Sequence, residues 1–115
     1  MPAKKSDIGT ETEHRVRKLL KRRKGFEEKR MFGGLGFLLH GNMCCGVHKG
    51  RLILRLGKEV ADTALEKKHV KPFDITGHPM SGWVMMECRL IGGEENLKEW
   101  ISLAVDFCKS LPPKP

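Results

Sequence analysis

The sequence predicts one α+β domain, an antiparallel sheet with a central three-stranded meander flanked by N-terminal, middle and C-terminal helices. Two short links, Gly41-Asn42 and Lys49-Gly50, separate three runs of strand-forming residues between positions 35 and 56. Links of this chemistry mark hairpins, because Gly and Asn accept φ > 0. Near both ends of the chain, apolar residues recur at helical spacing. The 115 residues, 39% hydrophobic and 31% charged, suffice for one hydrophobic core and not for two.

The elements follow in order. Residues 1–9 are polar and expected to form a mobile tail, leaving a domain over 10–111 and a short tail over 112–115. Thr10 with Glu13 has the capping-box spacing and Gly25 supplies a stop, so the first helix is expected over 11–24. Its stripe of Val16, Leu19 and Leu20 faces the core, and its cations take the opposite side. A strand follows over 26–32, with a bend at Met31-Phe32-Gly33-Gly34. The meander strands are 35–40, 43–48 and 51–56. A helix is expected over 58–68, with Val60, Ala61, Ala64 and Leu65 at helical spacing. Next come a loop over 69–81 and a strand over 82–91. The closing helix, 94–111, places Leu97, Trp100, Ile101, Ala104 and Cys108 on one face, and Pro112-Pro113 ends it.

Net charge is +8, and it is concentrated. Residues 1–30 hold 11 Lys/Arg against 5 Asp/Glu, whereas 31–115 hold 11 against 9. A local positive stripe attracts nucleic acid, acidic proteins or anionic surfaces and says nothing about fold. No window approaches the roughly 18 apolar residues of a spanning helix, and the N-terminus has no signal-peptide core. A cytoplasmic protein with reduced Cys44, Cys45, Cys88 and Cys108 is therefore expected.

With two-residue turns at both links, Leu38 faces Cys45, Cys45 faces Leu54, and Cys44 lies against Arg55. Alternation then assigns Leu38, Met43, Cys45, Val47, Leu52 and Leu54 to the core. The other face receives Phe37, Leu39, Cys44, His48, Arg51, Ile53 and Arg55, a mixed apolar and cationic surface suited to a partner or an anionic ligand. Cys44 and His48 share that face about 13 Å apart and cannot share a metal. No CxxC and no Cys/His cluster of zinc spacing occurs, so neither metal nor cofactor is expected. A guanidinium beside Cys44 would favour its thiolate, and a small residue filling a sheet position explains Cys44 equally well. Gly33-Gly34-Leu35-Gly36 precedes a strand rather than a helix, unlike a phosphate loop. Ser81 lacks a nucleophile elbow and a base. No catalytic constellation emerges.

Five blocks resemble the TfoX N-terminal domain family. They are Met31-Phe32-Gly33-Gly34-Leu35-Gly36-Phe37, Gly41-Asn42-Met43, Leu52-Ile53-Leu54-Arg55-Leu56, Gly77-His78-Pro79-Met80-Ser81-Gly82-Trp83-Val84, and the closing helix from Trp100 to Leu111. Together they cover roughly 26–113. The resemblance implies a fold similar to secretion-chaperone-like domains and kinship with bacterial competence regulators that act as transcriptional coactivators. It implies no catalytic residues. The chain ends where the first domain of such regulators ends, and its first helix is unusually basic.

A non-enzymatic regulatory domain working through protein contacts is therefore the expected function, with self-association possible. One alternative is a small-ligand-binding or enzymatic protein using the cationic face around Arg55. Another is a non-specific nucleic-acid binder using Arg15, Arg17, Lys18, Lys21 and Arg22, each phosphate contact adding salt dependence. Nothing resembles a recognition helix or an aromatic stacking platform.

Overall fold

A computed structural model describes residues 3–31, 33–74, 77 and 79–114. Phe32, in the expected bend, lies outside the described residues, as do Ile75, Thr76 and His78 in the expected loop. The fold is α+β. Three α-helices, α1 (Ala3–Leu20), α2 (Lys58–Ala64) and α3 (Glu94–Lys109), accompany six strands: β1 (Phe26–Met31), β2 (Gly34–Leu39), β3 (Asn42–His48), β4 (Arg51–Arg55), β5 (Lys71–Pro72) and β6 (Trp83–Glu87). The strands form one antiparallel sheet in the order β1-β2-β3-β4-β6-β5.

Helix α1 begins at Ala3, well inside the expected tail, and Thr10 lies within it rather than at its cap. The stripe is longer than its apolar letters show. Thr12 is fully buried, and its hydroxyl donates to the Ile8 carbonyl at 2.8 Å. A hydroxyl satisfied one turn back is no obstacle to burial. Ile8, Thr12, Val16 and Leu20 thus form an i, i+4 ladder. The helix ends at Leu20, and the chain turns through Gly25 into β1.

The β3–β4 hairpin has the expected register, with Cys45 opposite Leu54 and a Lys49-Gly50 turn. The β2–β3 hairpin does not. Its turn is His40-Gly41, with φ of 51° and 83°, placing Leu39 opposite Asn42 and Leu38 opposite Met43. Asn42 is drawn into the sheet because its side-chain amide donates to the Pro112 carbonyl at 2.8 Å, and it is only 4% exposed. The turn thus moves one residue earlier than expected. Beyond it, Phe37 pairs with Cys45, so Cys44 is the extra residue of a β-bulge. The net slip relative to the expected register is one residue, and a slip of one exchanges the two faces of β2.

The core lies between the sheet and the helices. Phe37, Leu35, Leu39, Cys45, Val47, Leu52, Leu54, Val84 and Met86 form a single cluster with Val16 and Leu20 of α1, Ala61 and Ala64 of α2, and Leu97, Ile101, Ala104, Val105 and Cys108 of α3. Helix α3 lies across β3 and β4 and touches β2, while α1 packs on β3 beside it. The expected apolar face of α3 is present, with Trp100 at its half-buried margin. Helix α2 stops at Ala64, earlier than its composition suggests, and β5 arises within the segment expected to be loop.

Candidate open-sheet interface

The helices share one core, so the opposite side of the sheet carries no helix among the described residues. Strand alternation fixes what stands there. One row crosses all six strands: Lys29, Gly36, Gly46, Ile53, Met85 and Lys71. Cations end the row and two adjacent glycines leave its middle low. The Met43 side chain bends over this trough, its Cε 3.0 Å from where a Cβ on Gly46 would stand. Leu38, Met43, Met85 and Trp83 are half-buried on this face. Ile53 is 4% exposed yet stands apart from the core cluster, as does Phe73, which packs on Trp83 with ring centroids 5.7 Å apart.

At one corner of this face Arg55 is half-buried between two aromatic rings. Its guanidinium carbon lies 5.3 Å from the Trp83 ring centre and 5.7 Å from that of Phe107, and Nη1 makes a long 3.4 Å contact with the Met43 carbonyl. Cation–π contact at these distances holds the guanidinium in place. No carboxylate bonds it among the described residues. At the neighbouring row Arg51 stands opposite both His48 and Glu87.

The residues expected on this face therefore divide. His48, Arg51, Ile53 and Arg55 lie on it. Phe37 and Leu39 do not; both are in the core, Phe37 fully buried and stacked on Phe26 with centroids 6.1 Å apart. Leu38 and Met43, assigned to the core by the expected register, take their places outside. The earlier turn accounts for the exchange.

Cys44 also leaves the outer face. The bulge brings two consecutive cysteines into the core, both fully buried, where strict alternation would have separated them. Contact with Cys108 favours the Cys44 thiolate, but contact with Cys45 and burial outweigh it and hold the thiol well above the range of a free cysteine. Arg55 acts on Cys108 instead, and there the neighbouring Cys44 and burial still push the thiol up. The Cys108 Sγ lies 3.6 Å from the Asn42 carbonyl oxygen and 3.7 Å from that of Met43. Cys44 and Cys108 are buried packing groups, and of the two readings of Cys44 its burial favours the small residue that fills a sheet position.

The basic residues of α1 divide as well. Arg15 reaches Glu94 of α3 at 3.4 Å. Arg17 pairs with Glu28 of β1 through two contacts, Nε to Oε2 and Nη2 to Oε1, the latter at 2.9 Å. Lys18, Lys21 and Arg22 are exposed, with no ion pair among the described residues. The first two cations tie α1 to its neighbours and the last three project from the fold. The hydrogen bond from Arg17 holds the Glu28 carboxyl below its ordinary value of 4.5. A depressed carboxyl contributes stability above its unfolded pKa and loses it as pH falls through the folded one. Glu28→Gln is thus expected to cost less than about 1 kcal/mol near neutrality. The cost should vanish below the acidic range in urea unfolding; a cost unchanged at the lowest pH would contradict the pairing.

A family model, that of the TfoX N-terminal domain, matches residues 18–108. The chain belongs to that family. Comparison with curated proteins and with solved structures returned no match. In this TfoX N-terminal domain the resembling blocks have distinct structural tasks. Leu52, Leu54 and Leu56 are fully or almost fully buried at the sheet centre. Gly82 accepts hydrogen bonds from the backbone N–H of Leu56 and of Gly57 at 2.8 and 3.1 Å, closing β4 onto the start of β6. No helix of the described residues is long and apolar enough to cross a membrane.

The misplaced turn hid the roles of Leu38 and Met43 from sequence reasoning, whereas Met85 and Trp83 lie on β6, whose pairing with β4 no local signal specifies. The available signal was Asn42, a polar side chain whose burial follows only when the distant Pro112 carbonyl is known to receive it.

Proposed function

We propose that this TfoX N-terminal domain is a non-enzymatic regulatory module that docks a protein partner on its open sheet face. The supporting observation is the half-buried set Leu38, Met43, Met85 and Trp83 on a face without a helix among the described residues, bordered by Arg51, Arg55 and Lys71. Met, Trp and Arg are enriched at protein interfaces, and methionines adapt to irregular surfaces. The domain works in the cytoplasm, where its thiols stay reduced, and the likeness to competence regulators implies a role in transcription. Nucleic acid contributes at most non-specific attraction through Lys18, Lys21 and Arg22, which carry no base-reading geometry.

The test is a photo-crosslinking amino acid placed singly at Leu38, Met43 or Met85 in the source cell, with Lys98 on the exposed side of α3 as control. A discrete protein adduct is expected from the three sheet positions and not from Lys98. Equal crosslinking from all four, or from Lys98 alone, would defeat the assignment.

A further inference from the structure

A second site is formed at the edge of the sheet, where β5 stops. Strand β5 pairs with β6 only at Met85 and Val84, so the rest of β6 has no strand beside it on that side. The chain before β5 arches away: Val70 is anchored in the core at 6% exposure, whereas Lys68 and His69 rise exposed above it. The 3-10 turn Cys88–Leu90 closes the far end, pinned by the Cys88 N–H to the Gly50 carbonyl at 2.9 Å. Between these walls is a cleft of about 300 Å³, at the small end of ligand pockets.

Its chemistry is two-sided. Met85 and Leu90, both half-buried, supply the apolar lining, Met86 adds only the 6% of its surface left outside the core, and Arg51, Lys68, Lys71 and His69 stand around them. Arg51, Lys68 and Lys71 make no ion pair among the described residues. The carboxylate in the lining, Glu87, stands opposite Arg51 in the sheet register and accepts from Arg89 Nε at 2.9 Å. Three cations, Arg51, Lys68 and Lys71, thus line one small mouth against a single carboxylate. An arginine fork with lysine point charges suits a dianionic phosphate, and methionine sulfur and methyl groups suit the face of a flat ring.

We infer that this cleft binds a small organic phosphate, its dianionic head against Arg51, Lys68 and Lys71 and its flat apolar body against Met85 and Leu90 at the sheet edge beside Met86. The site overlaps the docking surface at Arg51, Met85 and Lys71 and extends from it around the sheet edge to Lys68, His69 and Leu90.

Adenosine monophosphate, adenosine and inorganic phosphate are titrated separately into the full chain, followed by methionine methyl and backbone amide resonances. Adenosine monophosphate is expected to shift the Met85 and Met86 methyls and the amides of 68–71, with the other two probes at least about tenfold weaker. Lys68→Glu/Lys71→Glu, at exposed positions, should weaken binding at least about tenfold, while Lys18→Glu/Lys21→Glu changes it less than about twofold. Circular dichroism confirms that both variants fold. The inference is overturned if the methyls stay still at millimolar nucleotide, if adenosine or phosphate alone binds as well, or if the two charge reversals weaken binding equally.

Discussion

Replacing Phe37 with alanine is expected to lower stability by about 3–5 kcal/mol, the range for removing a large aromatic side chain from a packed core. Its ring is fully buried and stacked on Phe26. Leu38→Ala, one residue along, removes a side chain that is already partly in water and should cost about 1 kcal/mol or less. Urea unfolding of the two variants reads the β2 register directly. The opposite order of costs would restore a turn at Gly41-Asn42 and return Phe37 to the outer face. Leu38→Glu should be tolerated on the same grounds, whereas Phe37→Glu would place a charge opposite Cys45 in the core cluster and abolish folding.

The second large effect is at Gly57, between β4 and α2. Its φ is +84°, and a Cβ there would lie 2.6 Å from the Phe107 ring. The backbone conformation alone costs a non-glycine residue about 1–2 kcal/mol, and displacing a packed ring adds about 1–3 kcal/mol. Gly57→Val is therefore expected to destabilise by about 2–5 kcal/mol. Displaced Phe107 would also release Arg55, whose guanidinium lies against that ring. Gly50→Ala is the control: its φ is +76° and nothing stands within 4 Å of the added atom, so it should show the backbone cost alone. Thermal unfolding compares them, and equal shifts would mean that Phe107 yields freely.

The parts of this fold that were legible in the sequence are those specified locally. Lys49-Gly50 sets its own turn, and the pairing of Cys45 with Leu54 follows by counting. Helix α3 announces itself through a continuous apolar stripe and a proline stop. What escaped depends on partners far along the chain. Asn42 looks like a turn residue until the Pro112 carbonyl is brought beside it, and His40 occupies a left-handed conformation that its type does not advertise. The bulge at Cys44 then leaves Cys45 facing the same way as Phe37. One misplaced turn therefore exchanged Leu38 and Met43 with Phe37, Leu39 and Cys44, while the faces of β3 beyond the bulge and of β4 stayed correct. The early start of α1 was obscured because residues 1–9 read as polar and Thr10 with Glu13 has capping-box spacing, although both of these lie inside the helix. Strand β5 spans two residues, too few for any periodicity. The basic stripe of α1 was visible as composition, but the ion pairs that withdraw Arg15 and Arg17 from it join elements distant in sequence.

The central claim is that one face of the sheet carries no helix among the described residues and presents Leu38, Met43 and Met85 for contact. Thiol labelling measures it against a quiet background, because Cys44, Cys45, Cys88 and Cys108 are all free and buried. Single Leu38→Cys, Met43→Cys and Met85→Cys substitutions in dilute folded protein are expected to label within a small factor of an exposed reference cysteine, while the four native thiols stay silent until unfolding. Protection of all three introduced thiols to the level of the native ones, or fast labelling of native Cys44, would contradict the account.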